Sequence, residues 1–317
     1  MPSLRPTTVL LTLDAFNTLF YPRQHVALQY AQIAQSFGFL SSSASSTEIQ
    51  TAFRTAYKRE SALHPNYGRN IPGFGGPKEW WGNVIRGCFA QAKNVEVSGR
   101  SNSPANGQNL VAPKDVPNSL VEKVIEQFEG RQGYALYNDV EDFFRTLRTW
   151  KQNGMQSNII GHRIGPDRNP HETEVIERIV VGIISNADDR ITSILRSFGF
   201  KIGPGNTDTP MGQLQDLDFV LTSYEAGKEK PHRHIFDLAL ARAKAQVRDN
   251  THWRYLHIGD DYEQDYLGAM GAGWDGFLVL RESMDYLPGT LNSSRPEGEE
   301  IKVLRTLTEV FPLLGWE

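Results

Sequence analysis

Several side chains of this sequence are of types that could do chemistry together. Asp14 ends the apolar run "TVLLTLDAF" and is followed four residues later by Thr18; Ser185 and Asn186 end "IVVGIISN". Lys230 lies beyond "LTSYEAGKEKP", while Asp260 and Asp261 close "RYLHIGDD", with Asp265 four residues on. A carboxylate can attack an electrophile and form a covalent intermediate, which splits one hard displacement into two easier ones. Hydroxyls and an ammonium can hold the oxygens of a transferring phosphoryl group. A set of acidic oxygens suits Mg²⁺.

For these residues to meet, the elements that carry them must end at one rim. The runs ending at Asp14, at Ser185 and at Asp260 are continuous and apolar, as are "LDFVLTS" and "DGFLVLRE", which suits strands buried on both faces of a parallel sheet. Helical periodicity lies between them. "DDRITSILRSFGF" sets Ile191, Ile194, Leu195 and Phe198 on one face, and "HRHIFDLALARAKA" does the same with Ile235, Leu238 and Ala239. Alternation of this kind predicts a doubly wound α/β core, in which ligands bind beyond the carboxyl ends of the strands. Residues 22–137 read instead as successive amphipathic helices, "HVALQYAQIAQSFGF", "TEIQTAFRTAYKRES", "KEWWGNVIRGCFAQA" and "SLVEKVIEQFEG". The expected division is therefore an α/β core of residues 1–21 and 138–317 with a helical insertion, residues 22–137, after the first strand.

The serines at 41–46 read as a helix-capping loop, the polar stretch 98–109 as a mobile loop, and 152–174 as a surface excursion. "GFGGP" at 73–77 follows no strand, so it reads as a loop and not a phosphate-cradling turn. "HRHIF" reads as a helix start, and no histidine spacing compels a metal site.

Composition narrows the partners. The chain has 317 residues, enough for two lobes, and a formal net charge of -4 with no basic field of the kind that draws proteins to nucleic acid. Cys88 is the only cysteine, which excludes an intrachain disulfide and fits a reducing compartment. The apolar stretch 9–13 is too short for a signal segment, and no stretch approaches the ~18 uncharged residues that span a bilayer. The expectation is a soluble intracellular protein, cytoplasmic, nuclear or both, acting on a small molecule, with neither nucleic acid nor membrane as partner and with protein partners left open.

In this order and strand context the residues resemble the haloacid dehalogenase-like hydrolase superfamily. Its first motif, D-x-x-x-T-L, stands as Asp14 to Leu19; its second is the Ser185-Asn186 end; its third is Lys230-Pro231; its fourth is Gly259, Asp260 and Asp265. The likeness covers nearly the whole core, which implies a Rossmann-like sheet, and the helical insertion stands where that superfamily places a cap. Paired Trp80 and Trp81 in "PKEWWGNVI" resemble the domain-containing-3 or rhythmically-expressed-gene-2-like subgroup. The resemblance implies Asp14 as nucleophile with Lys230 beside it, and Thr18, Ser185 and Asn186 as phosphate ligands. It implies Mg²⁺ on Asp14, the Phe16 backbone carbonyl, Asp260 and Asp261, with Asp265 orienting the loop or Lys230 from behind.

Phe16 departs from the phosphatase pattern, which places there a second aspartate that protonates the leaving group and then activates water. Dehalogenases of the superfamily also carry an aromatic residue at this point, whereas "GDDYEQD" keeps the acidic pair of the metal-dependent members. Three readings follow: a Mg²⁺-dependent phosphatase-type hydrolase of a small phosphorylated compound, a 2-haloacid dehalogenase, and a binding or scaffold protein with little or no catalysis. The tryptophans are expected to divide, one packing within the cap and the other facing the cleft.

Overall fold

The computed structural model describes residues 4–99, 110–153, 159–161, 173–203, 215–247, 252–281 and 301–315. Two compact units emerge. One comprises Met1–Tyr21, Leu136–Ala187 and Leu195–Glu317; the other comprises Pro22–Ala135 and Asp188–Ile194.

The first unit is built on a sheet. Strand β1 (Leu4–Leu13) leads into a short β2 (Phe20–Pro22), from which the chain enters the helical unit. That unit contains α1 (Val26–Ser36), α2 (Ser46–Leu63), α3 (Gly76–Gly99) and α4 (Asn118–Gln127), and β3 (Tyr134–Leu136), which pairs with β2, brings the chain back. There follow α5 (Val140–Asn153), β4 (Ile159–Gly161), β5 (Thr173–Ser185) and α6 (Arg190–Ser197). The remainder supplies β6 (Phe219–Thr222), α7 (Ser223–Ala226), α8 (Arg233–Ala245), β7 (His252–Gly259), β8 (Asp275–Val279) and β9 (Val303–Leu304).

Strand order runs β6-β5-β1-β7-β8-β9 with the paired strands parallel, and β4 adds antiparallel to the first residues of β5. Part of the stretch read as a surface excursion is thus sheet: residues 159–161 form β4, and β5 starts at Thr173, six residues before the apolar run. The rest of that stretch, like 100–109 of the polar loop, lies outside the described residues.

The apolar runs explain the layering. Leu10 packs with Val180, Ile184 and Phe219 of the sheet and with Ile235, Phe236 and Ala239 of α8. Its neighbours Val9 and Leu11 point to the opposite face by the two-residue period of a strand, and both are fully buried. Both faces are therefore covered, and each such buried side chain contributes roughly 2 kcal/mol. After β1 the chain adds β5 and β6 on one side, then β7, β8 and β9 on the other. Strand order thus reverses about β1, the place where an open α/β sheet leaves a crevice at the carboxyl ends of its strands.

In the helical unit the serine loop caps as expected: the Ser45 hydroxyl accepts from Thr47 N, and Glu48 reaches back to the Ser45 amide. Ile49, Val84, Phe89, Leu120 and Val124 form its buried apolar set. Cys88 is buried there, and burial pushes its thiol up, far from a reactive thiolate.

Candidate active site

Lys230 is the centre of the polar cluster on the α/β unit. Its buried Nζ donates to Asp14 Oδ1 at 2.6 Å, to Asp265 Oδ1 at 2.5 Å and to the Ile184 backbone carbonyl at 2.8 Å. An ammonium has three hydrogens, and all three are thereby assigned. Residues 216 positions apart meet because Asp14 leaves β1 at the sheet's rim, its amide still bonded to Ile258 O of β7 at 2.9 Å, while the loop before α8 brings the lysine in.

Each remaining motif residue has a place. After Phe16 the chain turns at Asn17, whose φ of 56° is left-handed, a conformation that asparagine tolerates better than most residues. The turn buries Thr18, and its hydroxyl donates to Asp260 Oδ1 at 3.3 Å. Arg281 holds the same turn, donating from Nε and Nη2 to the Thr18 carbonyl at 3.1 and 2.5 Å and from Nη1 to Asp139 at 2.8 Å. The Ser185 hydroxyl lies beside the Asp14 carboxylate and favours its charged form. Carboxylate oxygens of Asp14, Asp260 and Asp265 lie within 4.8 Å of one another.

The charges do not balance. Burial, opposed by Lys230, pushes Asp14 up to about 6. Burial and the neighbouring Asp14 carboxylate hold Asp260 well above the usual range. Burial would also raise Asp265, but Lys230 and His257 outweigh it and hold this carboxyl low; burial would lower Lys230, but Asp14 and Asp265 hold it above its ordinary value. One lysinium thus serves two buried carboxylates with a third beside them. This surplus of hard, anionic oxygen is what a Mg²⁺ ion would fit.

Similarity to known proteins agrees with this geometry. The family model described as HAD-hydrolase-like matches residues 228–309, the stretch carrying Lys230, Asp260 and Asp265. The haloacid dehalogenase-like hydrolase domain-containing protein 3 of Bos taurus is 28% identical over 97% of this chain and 94% of its own. The rhythmically expressed gene 2 protein of Drosophila melanogaster is 25% identical over 88% of this chain and 85% of its own. Over nearly its whole length the chain is similar to haloacid dehalogenase-like proteins. Among solved structures, a HAD phosphatase from Thermococcus onnurineus is similar at 15% identity and TM-score 0.48, covering 98% of this chain and 99% of that one.

Two motif residues are otherwise engaged. Asn186 brackets the lysine: its Oδ1 accepts from Lys230 N at 2.6 Å, and its Nδ2 donates to Lys230 O at 2.9 Å and to Gln264 Oε1 at 2.7 Å. Helix α6 is capped by Asp188, whose Oδ1 accepts from Arg190 N at 3.0 Å, so neither Ser185 nor Asn186 is spent on that cap. Asp261 Oδ1 accepts from the amides of Glu263 and Gln264 and thereby starts the π-helical turn Tyr262–Leu267. It is Asp265, not Asp261, that joins the converging carboxylates, yet both Asp265 oxygens have partners: Oδ1 takes Lys230 and His257, and Oδ2 takes the Asp261 amide at 3.0 Å. Gly259 makes this possible, since a Cβ there would stand 2.1 Å from the Asp265 carboxylate.

His257, two residues before Gly259, went unrecognised in the sequence. Fully buried, it faces Asp265 Oδ1 through Nε2 at 3.0 Å and Thr12 Oγ1 through Nδ1 at 2.8 Å. Burial keeps it below its ordinary value and so neutral. Nε2–H then donates to Asp265, and Nδ1 accepts from Thr12. Alternation in "LHIGDD" could have flagged a polar residue on a strand face, but not its partner.

His232 caps α8, its Nδ1 accepting from His234 N at 3.1 Å, as the reading of "HRHIF" as a helix start expects. Of the tryptophans, Trp80 is buried and donates to His64 O at 3.0 Å. Half-buried Trp81 donates to Asp188 Oδ2 at 2.7 Å and stacks under Arg190 at 4.4 Å, all within the helical unit. No helix among the described residues is long and apolar enough to cross a membrane.

Proposed function

We propose that the chain is a Mg²⁺-dependent hydrolase that takes a phosphoryl group from a small molecule onto Asp14 and passes it to water. The observation that carries this reading is the shared lysinium. Lys230 holds the Asp14 carboxylate in place at 2.6 Å, while the acidic surplus around Asp14 and Asp260 calls for a further cation.

The roles follow from position. Asp14 attacks phosphorus as a carboxylate. Lys230 balances its charge and fixes its direction; with every hydrogen engaged, it acts on the phosphoryl group through its field and not through a dedicated hydrogen bond. Thr18 and Ser185 present hydroxyls to the phosphoryl oxygens. To Asn186 we assign the holding of the Lys230 backbone in place of direct phosphate contact, and to His257 and Asp265 the fixing of the ammonium. Asp14, Asp260 and the Phe16 carbonyl would hold Mg²⁺, with Asp261 contributing through water. The ion supplies neutralisation of phosphoryl charge that the side chains alone leave unmet. To the helical unit we assign the cap's task of choosing the substrate.

Phosphate release from a panel of phosphorylated metabolites, with and without Mg²⁺, tests the reading. Metal-dependent release that disappears in Asp14→Asn is expected; absence of release, with no change on that substitution, would refute it. One observation favours carbon-halogen cleavage by the same aspartate, namely the Phe16 ring, which packs edge-on against Phe20 at 4.9 Å. Halide release from 2-haloacids that is indifferent to chelator would decide for that chemistry.

A further inference from the structure

Resting on the phosphoryl-transfer reading, we infer that the substrates are phosphoryl donors whose leaving group departs as a stable anion, such as the carboxylate of an acyl phosphate or the oxyanion of an aryl or enol phosphate, in preference to alkyl phosphate esters.

A leaving alkoxide needs a proton in the transition state, and a positioned acid supplying it accelerates the step by ~10²- to 10⁴-fold. At position 16, two residues beyond Asp14, this chain places a phenyl ring, seated at 4.9 Å and 71° on Phe20. The other polar members of the cluster are committed. Lys230 gives its three hydrogens to Asp14, Asp265 and Ile184 O. Asp265 is bonded through both oxygens, His257 is engaged at both nitrogens, and Asp261, whose Oδ1 starts a helical turn, would face the metal's water as a carboxylate. Asp260 accepts from Thr18 and, as one of the oxygens that would hold Mg²⁺ in the proposed reaction, would serve there as a carboxylate with no proton to give. Within this cluster, among the described residues, no group stands ready to protonate a departing oxygen.

Transfer then proceeds with these balances. An Asp14 carboxylate oxygen forms a bond to phosphorus, the bond from phosphorus to the leaving oxygen breaks, and that oxygen keeps the electron pair. A carboxylate, with an ordinary value near ~4, bears that charge readily; a phenolate, near ~10, does so when activated by electron-withdrawing groups; an alkoxide does not. In the second step water oxygen bonds to phosphorus, the phosphorus–Asp14 bond breaks, and the water proton passes to the departing phosphate. With no base at position 16 this step is the slower, so the phosphorylated enzyme accumulates.

Rapid mixing of the full chain and Mg²⁺ with acetyl phosphate, 4-nitrophenyl phosphate or glycerol phosphate, followed by acid quench and quantification of phosphorylated Asp14, tests the inference. The native chain is expected to show a burst of about one phosphoryl group per molecule with the first two donors, and labelling slower by at least ~10²-fold with glycerol phosphate. Phe16→Asp should shrink that gap and abolish the burst, while Phe16→Leu should keep both. The relative rates of the acyl and aryl donors then identify which anion the site accepts. Equal labelling by glycerol and 4-nitrophenyl phosphate in the native chain would overturn the inference while leaving the proposed function standing, and so would an equal shrinkage in Phe16→Leu and Phe16→Asp. This comparison of donors needs no variant to fold. If no donor labels Asp14, the function itself fails and the inference falls with it.

Discussion

Both units bury an aspartate beside a cation, and the two pairs behave in opposite ways. In the helical unit Asp188 is saturated: Oδ1 accepts from Arg190 N and Nε, and Oδ2 accepts from Arg190 Nη2 and Trp81 Nε1, all between 2.7 and 3.0 Å. Burial would raise its carboxyl, but Arg190 outweighs burial and holds it below the usual range. In the α/β unit Asp14 shares its cation with Asp265, and burial prevails, raising it. A dedicated bidentate partner makes a clamp. A shared one leaves a carboxylate with free energy still to gain from a ligand, the condition expected of a reacting group.

Substitutions can break this contrast in graded ways. The largest effect belongs to Asp14→Asn, which should cost at least ~10⁴-fold in phosphate release, as loss of a nucleophile does. Its thermal midpoint should stay level or rise, because the substitution removes a charge that burial penalises; a marked fall would show that Asp14 is a clamp like Asp188. Lys230→Met comes next, since it leaves Asp14 and Asp265 buried without their cation. It should lower stability by roughly 3–5 kcal/mol in urea titration and bring release near background. Asp188→Ala should lower stability by a similar or somewhat smaller amount by stranding Arg190, and the double change Asp188→Leu with Arg190→Met should restore most of it. Failure of that restoration would mark the pair as more than a clamp.

A smaller effect separates the units by pH. Asp14 is raised in the folded chain from 3.8 to about 6, so the folded state holds its proton where the unfolded state has lost it. Its stabilising contribution is complete below the unfolded value and vanishes as pH climbs through about 6, a change of up to roughly 3 kcal/mol. Asp188 is lowered, so its contribution is present above 3.8 and is lost as pH falls below that. Metal-free protein should therefore lose α/β stability between pH 4 and about 6, with Mg²⁺ opposing the loss, while the helical unit weakens in stronger acid. Hydrogen exchange resolved by segment distinguishes the two. Smallest is Trp81→Phe, which removes one hydrogen bond from Asp188 and should cost about 1–2 kcal/mol.

Five parallel strands, β1, β5, β6, β7 and β8, were legible as apolar runs, while short β4 and β9 carry no such run; Asp14, Lys230, Asp260 and Asp265 stood out because each ends or follows a legible run. Less visible was what each polar group does on arrival. Asn186 and Asp261 have the right types at the right places, yet one holds a backbone 44 residues away and the other caps its own loop. Which partner an amide or carboxylate takes depends on loop paths that spacing does not encode. The same holds for Asp188–Ile194, which the periodicity of α6 assigns to the α/β core and which packs with the helical unit. Its anchor, Trp81, is 107 residues away. His257 hid inside a strand pattern that fits core packing equally well.

The central claim is that Asp14 carries the phosphoryl group. Acid quench of the protein with Mg²⁺ and acetyl phosphate, followed by mass mapping of the peptide containing residues 6–23, addresses it directly. The account predicts one phosphoryl group on Asp14, absent without Mg²⁺ and absent in Asp14→Asn. Phosphate release that continues with Asp14 unmodified, or that survives Asp14→Asn, would contradict it.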